Sequence, residues 1–214
     1  MKNVLIIGAG EFGKHLARKL TELKNDVRLV DMDEAVIDAL SPALENTLIG
    51  DCRSMNVVKQ IGVRDYDLVV VAVGGNFQAS LEITSNLKEC GARYIVSQCE
   101  SDIQAKFLQM AGADKTVYAE KEAAEKAALI YNKDGLIDYI SISDDYKIVK
   151  MKLPRRWAGH TLPELEIRKK YKLNLLAVEH GGKVIVPDLQ FVFTDADLVL
   201  LLGEEKQLSR FFRN

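Results

Sequence analysis

Short apolar runs alternate with longer amphipathic segments through the first two thirds of the chain. The apolar runs are rich in β-branched residues and cover residues 4–7, 27–30, 47–49, 68–73, 94–96 and 116–118. The best of them are too continuous for strands with one face in water, and they predict buried parallel strands. Between the runs, apolar side chains recur at helical spacing, as at Phe12, Leu16, Leu20 and Leu23. The same spacing marks residues 54–61, 77–88, 103–110 and 120–131. The alternation predicts a Rossmann-like, doubly wound α/β fold with a parallel sheet.

The pattern changes after a polar turn at residues 132–135. Beyond it, strands are predicted at residues 139–142, 148–153, 173–178, 183–186 and 198–202. Gly181 and Gly182 form a hairpin signal between two of these strands. We therefore expect two domains, residues 1–134 and a small α+β domain of residues 135–214.

One helix of the second domain has a clear start signal. Thr161 and Glu164 have the spacing of a capping box, and Pro163 stands in the first turn. A helix is predicted from about residue 162 to residue 171, and a last helix after Gly203.

Composition and charge argue against several classes of protein. The 214 residues include 29 Lys and Arg against 31 Asp and Glu, a net charge of −2, so we expect no nucleic-acid partner. The longest apolar run, residues 68–75, is too short to cross a bilayer, and no signal segment opens the chain. Cys52, Cys90 and Cys99 show no metal or disulfide spacing. These features predict a cytoplasmic protein with free thiols.

A glycine-rich loop follows the first strand directly and opens the first helix. It consists of Gly8, Ala9, Gly10, Glu11, Phe12 and Gly13. In a dinucleotide-binding loop, the first glycine allows the tight turn, the second lets backbone approach a pyrophosphate, and the third lets helix and strand pack closely. The alternative is a glycine turn that serves packing alone.

Acidic residues follow the second and third strands. Asp31 ends the second strand, 18 residues past Gly13. A carboxylate there accepts hydrogen bonds from ribose hydroxyls and repels a 2′-phosphate. Asp33 is more typical of a helix cap, although it could also touch the ribose. Asp51 follows the third strand, at the carboxyl edge where such folds bind ligands, and is a candidate for lining an adenine pocket. The neighbouring Met32 and Cys52 belong to the same predicted site.

The sequence shows no set of residues placed like the acid or base of a dehydrogenase. His15, His160 and His180 are not placed like the base of a hydride transfer, and each is expected at the surface. Tyr146 and Lys150 have the spacing of a dehydrogenase pair, but that pair needs one helical face, and the pattern of residues 144–152 is that of a strand. We expect a protein that is not an enzyme. The alternative is an NAD-dependent oxidoreductase that uses the same Rossmann lobe.

The motifs together resemble the RCK domains of TrkA- and Ktr-type regulatory subunits of bacterial potassium uptake systems. The resemblance rests on residues 8–13, Asp31, the run 72–80 that reads AVGGNFQAS, and residues 112–114 followed by Glu120 and Lys121. In the second half it rests on residues 165–171, 177–178, Pro187 and 197–203. It covers nearly the whole chain.

The resemblance implies an adenine nucleotide, NAD or NADH, ADP or ATP, in the first lobe. It adds to the site Val73, Gly74, Gly75, Asn76 and Gln98. It further implies dimers that assemble into an octameric ring, docked on a membrane-embedded potassium transporter subunit at the inner face of the cell membrane. Ligands would then gate transport by shifting the ring between two shapes. A similar sensor that serves another transporter is also compatible.

Two glutamates qualify the ligands that the resemblance implies for the first lobe. Glu120 matches a family glutamate that lies near the nucleotide phosphates and sometimes holds a divalent or sodium cation between two subunits. The alternative is an ordinary first-turn glutamate of a helix. Glu11 stands where many relatives carry arginine, and its charge should weaken ATP relative to NAD, ADP or AMP.

In the C-terminal lobe, several relatives bind cyclic di-AMP at a dimer interface. The matching positions here are Ile167, Arg168 and Pro187. The alternative is an ordinary solvated arginine. Trp157, the single tryptophan, is expected to be an interface or packing anchor.

Overall fold

The chain is described by a computed structural model for residues 1–42 and 44–213. It divides into two compact units, Met1–Glu122 and Ala123–Asn214. The division falls inside a helix, whereas the sequence pattern placed the boundary after that helix, at residue 134. The polar turn at residues 132–135 marks where the composition of the chain changes, whereas the two compact units divide inside the helix that precedes this turn.

The first unit alternates strands and helices. Its elements are β1 (Asn3–Ile7), α1 (Glu11–Glu22), β2 (Asp26–Asp31), α2 (Glu34–Leu40), β3 (Thr47–Ile49), α3 (Met55–Ile61), β4 (Leu68–Val71), α4 (Phe77–Glu89), β5 (Ile95–Gln98), α5 (Asp102–Ala111), β6 (Lys115–Val117) and α6 (Ala119–Tyr131). The six strands pair in parallel in the order β3-β2-β1-β4-β5-β6. This order confirms the predicted Rossmann-like fold.

Two apolar cores cover the two faces of the parallel sheet. On one face, Leu5 and Ile7 of β1 pack with residues of β4, α3, α4 and α5. On the other face, Val4 and Ile6 pack with α1 and α2. Both faces of the sheet are buried, and the strands are therefore continuous apolar runs in the sequence.

The second unit is an antiparallel sheet with short helices. Its elements are β7 (Leu136–Ser141), β8 (Tyr146–Lys152), a 3₁₀ turn (Arg155–Trp157), α7 (Leu162–Leu165), α8 (Ile167–Tyr171), β9 (Asn174–His180), β10 (Lys183–Ile185), β11 (Leu198–Glu204) and α9 (Glu205–Phe211). The strand order is β10-β9-β11-β8-β7. Gly181 and Gly182 both have positive φ and make the β9–β10 hairpin turn. The predicted small α+β lobe is confirmed.

The helix predicted from residue 162 to 171 is interrupted. The capping box forms, with the Thr161 N–H 2.7 Å from Glu164 Oε2. Glu166, however, has φ 46 and separates α7 from α8. Leu165 and Ile167 are both buried in one core. In a continuous helix, two residues so spaced would point in nearly opposite directions, and the left-handed residue between them lets both face inward.

Trp157 lies at the centre of the second core. Its ring is buried, with centroids 5.8 Å from the Tyr171 ring and 5.4 Å from the Phe211 ring. The packing role predicted for it is confirmed.

Candidate functional site: a cleft at the carboxyl edge of the parallel sheet

A cleft of about 230 Å³ opens where β1, β2, β3 and β4 end. Its lining residues are Ile7, Gly8, Asp31, Met32, Gly50, Asp51, Cys52, Arg53, Val73, Asn76, Ala79 and Ile83. Seven residues of the predicted site are therefore brought together here. The other predicted nucleotide-site residues of the first lobe are not among the lining residues of the cleft: Ala9, Gly10, Glu11, Phe12, Gly13, Asp33, Gly74, Gly75 and Gln98.

Two glycines of the loop are required by packing. Gly8 has φ 108, and a Cβ there would lie 2.6 Å from the carbonyl oxygen of Ala72. A Cβ on Gly13 would overlap the carbonyl oxygen of Gly8. A Cβ on Gly10, the N-cap of α1, would lie 4.0 Å from the Ala72 carbonyl oxygen, which is an ordinary contact distance. Only at Gly10, therefore, does the protein itself give no steric reason for glycine, and there approach to a ligand supplies one.

Asp31 links the glycine loop to the end of β2. Its Oδ2 accepts a 2.6 Å hydrogen bond from the Ala9 N–H, and its Oδ1 accepts one of 3.0 Å from the Asp33 N–H. A carboxylate has about four acceptor positions. Two positions are thus left for the hydroxyls of a ribose in the cleft.

Asp33 has a different role from its neighbour. Its Oδ1 accepts hydrogen bonds from the N–H groups of Ala35, at 3.0 Å, and Val36, at 3.4 Å. These bonds cap the N-terminus of α2. The helix-cap alternative is the one that the structure shows.

Asp51 is held by a residue that the sequence reasoning missed. Arg53 Nη2 lies 2.7 Å from Asp51 Oδ2, and Arg53 Nε lies 3.0 Å from Oδ1. This forked contact places the pKa of Asp51 below its ordinary value. Arg53 also lines the cleft. The available signal was its place in the turn after the third strand, two residues past Asp51.

Cys52 contributes an inert wall. Burial, together with the charges of Asp51 and Asp31, raises the pKa of its thiol to about 12. The thiol is therefore protonated at neutral pH and is a poor nucleophile.

The loop after β4 closes the cleft from the other side. Asn76 is the N-cap of α4, and its Oδ1 accepts a 3.0 Å hydrogen bond from the Ala79 N–H. A Cβ on Gly74 would lie 3.1 Å from the Gln98 side chain, so Gly74 lets the loop approach β5. A Cβ on Gly75 would have no atom of the described residues within 4 Å.

Glu11 and Glu120 are exposed at the starts of two helices. The Glu11 side chain is 81% exposed, with Oε1 3.4 Å from Lys14 Nζ and Oε2 3.8 Å from His15 Nε2. Glu120 lies in the first turn of α6. The residues that the structure describes contain no cluster of three or more His, Cys, Asp or Glu side chains suited to a metal. A cation at Glu120 would need further ligands from a nucleotide or a second chain.

A second groove, of about 350 Å³, lies beside α7 and α8. Ile167 and Arg168 line it together with Lys169 and Asn174, whereas Pro187 is not among its lining residues. Glu166, whose charge would oppose a phosphate, lies 2.7 Å from Lys169 and 3.6 Å from Lys170. Lys169 holds the pKa of Glu166 below its ordinary value. Two lysines thus offset that charge.

All three histidines lie at the surface, as predicted, but one of them also contacts a buried carboxylate. His15 is exposed, and His160 is exposed with Nδ1 3.1 Å from the Ala158 carbonyl. His180, although half exposed, lies with Nδ1 2.7 Å from Oδ1 of the buried Asp197. A contact between the ends of two strands that are distant in sequence gives no local signal.

Both units match protein families. The TrkA-N domain family matches residues 4–119 and the TrkA-C domain family matches residues 148–214. The chain belongs to the family of TrkA-N and TrkA-C domain proteins, which confirms the resemblance found in the sequence. Within that family it is similar to Ktr system potassium uptake protein C of Bacillus subtilis, with 34% identity over 98% of this chain and 96% of the relative. Ktr system potassium uptake protein A of the same organism is 28% identical over 98% of this chain and 95% of its own length.

Solved structures share the fold. The GsuK RCK domain superposes with a TM-score of 0.71 at 18% identity, covering 99% of this chain and 47% of that chain. The GsuK channel bound to NAD gives a TM-score of 0.70 at 18% identity and covers all of this chain and 39% of the other. The chain spans less than half the length of these solved proteins. Finally, no helix among the described residues has the length and apolarity needed to span a membrane.

Proposed function

We propose that this chain is the cytosolic, nucleotide-binding regulatory subunit of a potassium uptake transporter. It binds an adenine nucleotide in the cleft and gates a membrane-embedded subunit, at the inner face of the cell membrane, without catalysing a reaction. The observation that carries the proposal is the pairing of Asp31 with the glycine loop at the carboxyl edge of the sheet. Similarity to Ktr potassium uptake proteins along nearly the whole chain supports the transport role.

The cleft favours a nucleotide with free ribose hydroxyls. Asp31 offers two acceptor positions, and both Asp31 and Asp51 line the cleft, where their negative charge would disfavour a 2′-phosphate. Arg53 does not neutralise both carboxylates, because its guanidinium is already paired with Asp51. NAD, ADP and ATP therefore fit better than NADP.

Calorimetry on the full chain tests the ligand. We expect Asp31→Asn to weaken ADP and NAD binding at least tenfold, about 1.4 kcal/mol. Asp38→Asn, an exposed aspartate on α2, is the matched control. Equal affinity in wild type and Asp31→Asn, with unchanged circular dichroism, would place the nucleotide elsewhere.

Glu11 sets the preference among adenine nucleotides. Its carboxylate begins α1, beside the loop that receives the phosphates, and Lys14 offsets its charge only across 3.4 Å in an exposed position. We expect Glu11→Arg to raise the affinity for ATP several-fold more than that for ADP. An unchanged ATP to ADP affinity ratio would mean that the side chain does not face the terminal phosphate.

The alternative, an NAD-dependent oxidoreductase, makes a different kinetic prediction. A regulator binds NADH stoichiometrically and leaves it reduced, whereas an enzyme turns it over with a substrate. Absorbance of NADH during incubation with a panel of carbonyl metabolites distinguishes them. Oxidation of NADH that is lost in an Asp31 variant would refute the regulatory proposal and favour the oxidoreductase.

Helix α6 supports the proposed assembly into dimers and an octameric ring. None of its residues is buried, and Tyr131 is 88% exposed. A 13-residue helix is only marginally stable in water without packing, so a second copy is expected to cover it. Light scattering should give an octamer for wild type and a smaller species for Tyr131→Ser, with Tyr94→Ser as the control. A wild-type protein that is a monodisperse monomer with and without nucleotide would refute the proposed ring.

The groove beside α7 and α8 is the proposed site for cyclic di-AMP between two copies. Arg168 can form forked hydrogen bonds to a phosphate, and the nearby charge of Glu166 is offset by lysines. Labelled cyclic di-AMP should bind the full chain saturably and bind Arg168→Ala much more weakly, with Lys206→Ala unchanged. Equal binding by Arg168→Ala would leave it a surface arginine.

The proposed cation at Glu120 is tested through the nucleotide. If a divalent or sodium ion joins Glu120 to the phosphates, added cation should tighten ATP binding in wild type but not in Glu120→Gln. Glu122→Gln, in the same helical turn, is the control. A cation effect equal in all three proteins would leave Glu120 as a first-turn glutamate.

A further inference from the structure

The strand order determines where the parts of a nucleotide can lie along the cleft. Strands β1, β2 and β3 are neighbours in the sheet, with β2 in the middle. The glycine loop follows β1, Asp31 ends β2, and a turn of residues 51–53 follows β3. Phosphates at the glycine loop and a ribose at Asp31 would therefore direct the base toward the turn after β3.

Arg53 is fixed in this turn through its backbone and its side chain. Its N–H donates a 3.0 Å hydrogen bond to Asp51 Oδ1, and its carbonyl oxygen accepts one of 2.8 Å from Nδ2 of Asn86 on α4. Its Nε and Nη2 form the fork to Asp51, at 3.0 and 2.7 Å. Because a guanidinium is planar, this fork holds the plane of the side chain beside the cleft that it lines. Little conformational freedom is then lost when a ligand packs against it.

Met32 extends the surface that Arg53 presents. Its sulfur lies 4.0 Å from Arg53 Nη2, and both residues line the cleft. Met32 is 63% exposed in the chain, although it is a large apolar residue. Methionine sulfur is polarisable and makes favourable contacts with aromatic rings. We name these two neighbouring side chains the Met32–Arg53 platform.

We propose that the Met32–Arg53 platform stacks against the adenine ring and that Arg53 is a specificity-determining residue of the cleft. The inference rests on the proposed function, because it takes the phosphates to lie at the glycine loop and the ribose at Asp31. Guanidinium planes stack on nucleotide bases, and their charge is attracted to the face of an aromatic ring. A purine covers more of such a platform than a pyrimidine, so adenine is favoured over uracil.

Competition of ADP and UDP for a labelled ADP analogue, on the full chain, tests the platform. The two nucleotides share a ribose and a diphosphate, so the ratio of their affinities reports the base. We expect Arg53→Ala to lower the ADP to UDP affinity ratio about fivefold, and Met32→Ala to lower it about twofold. Arg93→Ala should not change the ratio. Arg93 is the matched control because it is an exposed arginine of the same unit, with Nη1 3.2 Å from Asp67 Oδ1.

A contact between Arg53 and the phosphates makes a different prediction. Such a contact, or the Asp51 charge that Arg53→Ala leaves unpaired, would change ADP and UDP binding by the same factor, and an unchanged ratio would overturn the proposal. An equal fall of the ratio in Arg93→Ala would also overturn it. Loss of ADP binding in Asp31→Asn with an unchanged ratio in Arg53→Ala would refute the platform alone. A wild-type chain that binds no adenine nucleotide would refute the platform and the proposed function together.

Discussion

Asp197 is the most informative residue to perturb in the second unit. It is 1% exposed, its Oδ2 accepts a 2.8 Å hydrogen bond from the Thr194 N–H, and its Oδ1 lies 2.7 Å from His180 Nδ1. A buried carboxylate is stabilising only while such partners hold it. Its removal should therefore cost more than a typical surface change.

The size of the effect follows from these two contacts. Each hydrogen bond to a charged group contributes about 1.5 to 3 kcal/mol, and the half-exposed His180 belongs at the lower end. We expect Asp197→Ala to lower the free energy of unfolding by about 3 kcal/mol. Asp197→Asn keeps the volume and can accept from Thr194, so it should cost about 1.5 kcal/mol.

The pH dependence has a definite sign. Burial opposes ionisation of Asp197, but the Thr194 N–H and His180 outweigh it, and the pKa of Asp197 lies below its ordinary value. A lowered pKa in the folded state stabilises the protein above the unfolded pKa, about 3.9 for aspartate. This contribution is lost as the pH falls through the folded pKa. The stability difference between wild type and Asp197→Asn should therefore shrink below about pH 4.

Urea unfolding followed by fluorescence measures the prediction directly. Trp157 is the single tryptophan and is buried in the same core, so its emission reports the second unit alone. Protein concentration is kept fixed because assembly would contribute to stability. Asp195→Ala, an exposed aspartate two residues away, is the control. A shift in Asp197→Ala no larger than in that control, or a difference from Asp197→Asn that persists in acid, would refute the reasoning.

Three further outcomes are expected. Gly8→Ala should abolish nucleotide binding and destabilise the first unit by about 3 kcal/mol, because φ is 108 and the new Cβ meets the Ala72 carbonyl; a normal thermal midpoint by circular dichroism would contradict this. Lys172→Gly should raise the stability of the second unit by about 0.5 kcal/mol, since φ is 60 there, and an unchanged urea midpoint would contradict it. A thiol reagent at pH 8 should modify Cys90 before Cys52 in the native chain, and equal rates by mass spectrometry would show that the cleft wall opens.

The parallel sheet and the glycine loop could be predicted because their causes are local. Residues 68–71 are apolar without interruption since both sides of β4 are covered, and that pattern is visible in the sequence. Gly8 and Gly13 are recognisable in the sequence because a Cβ at either position would collide with a backbone carbonyl oxygen. The place of Asp31 follows from the same strand–loop–helix geometry.

Other features depend on contacts that sequence spacing does not reveal. Helix α2 was not predicted because it is short and buries only Ile37 and Leu40. The break at Glu166 exists because two residues on either side share one core. The role of Arg53 depends on a side-chain contact with Asp51 rather than on its position. All three features depend on tertiary contacts, which can override the local preference of the sequence or act where it has none.

The strand order of the first sheet also determines when its apolar surface can be covered during synthesis. Val4 of the central strand pairs with Leu68 of β4, whereas β7 and β8 of the second unit join through a short hairpin. Pairings between distant parallel strands form slowly, and local hairpins form fast. As the chain leaves the ribosome, one edge of the central strand stays open until β4 has followed it. A chaperone that binds apolar strands should therefore associate with nascent chains that end before Leu68 and release chains that extend beyond Val71.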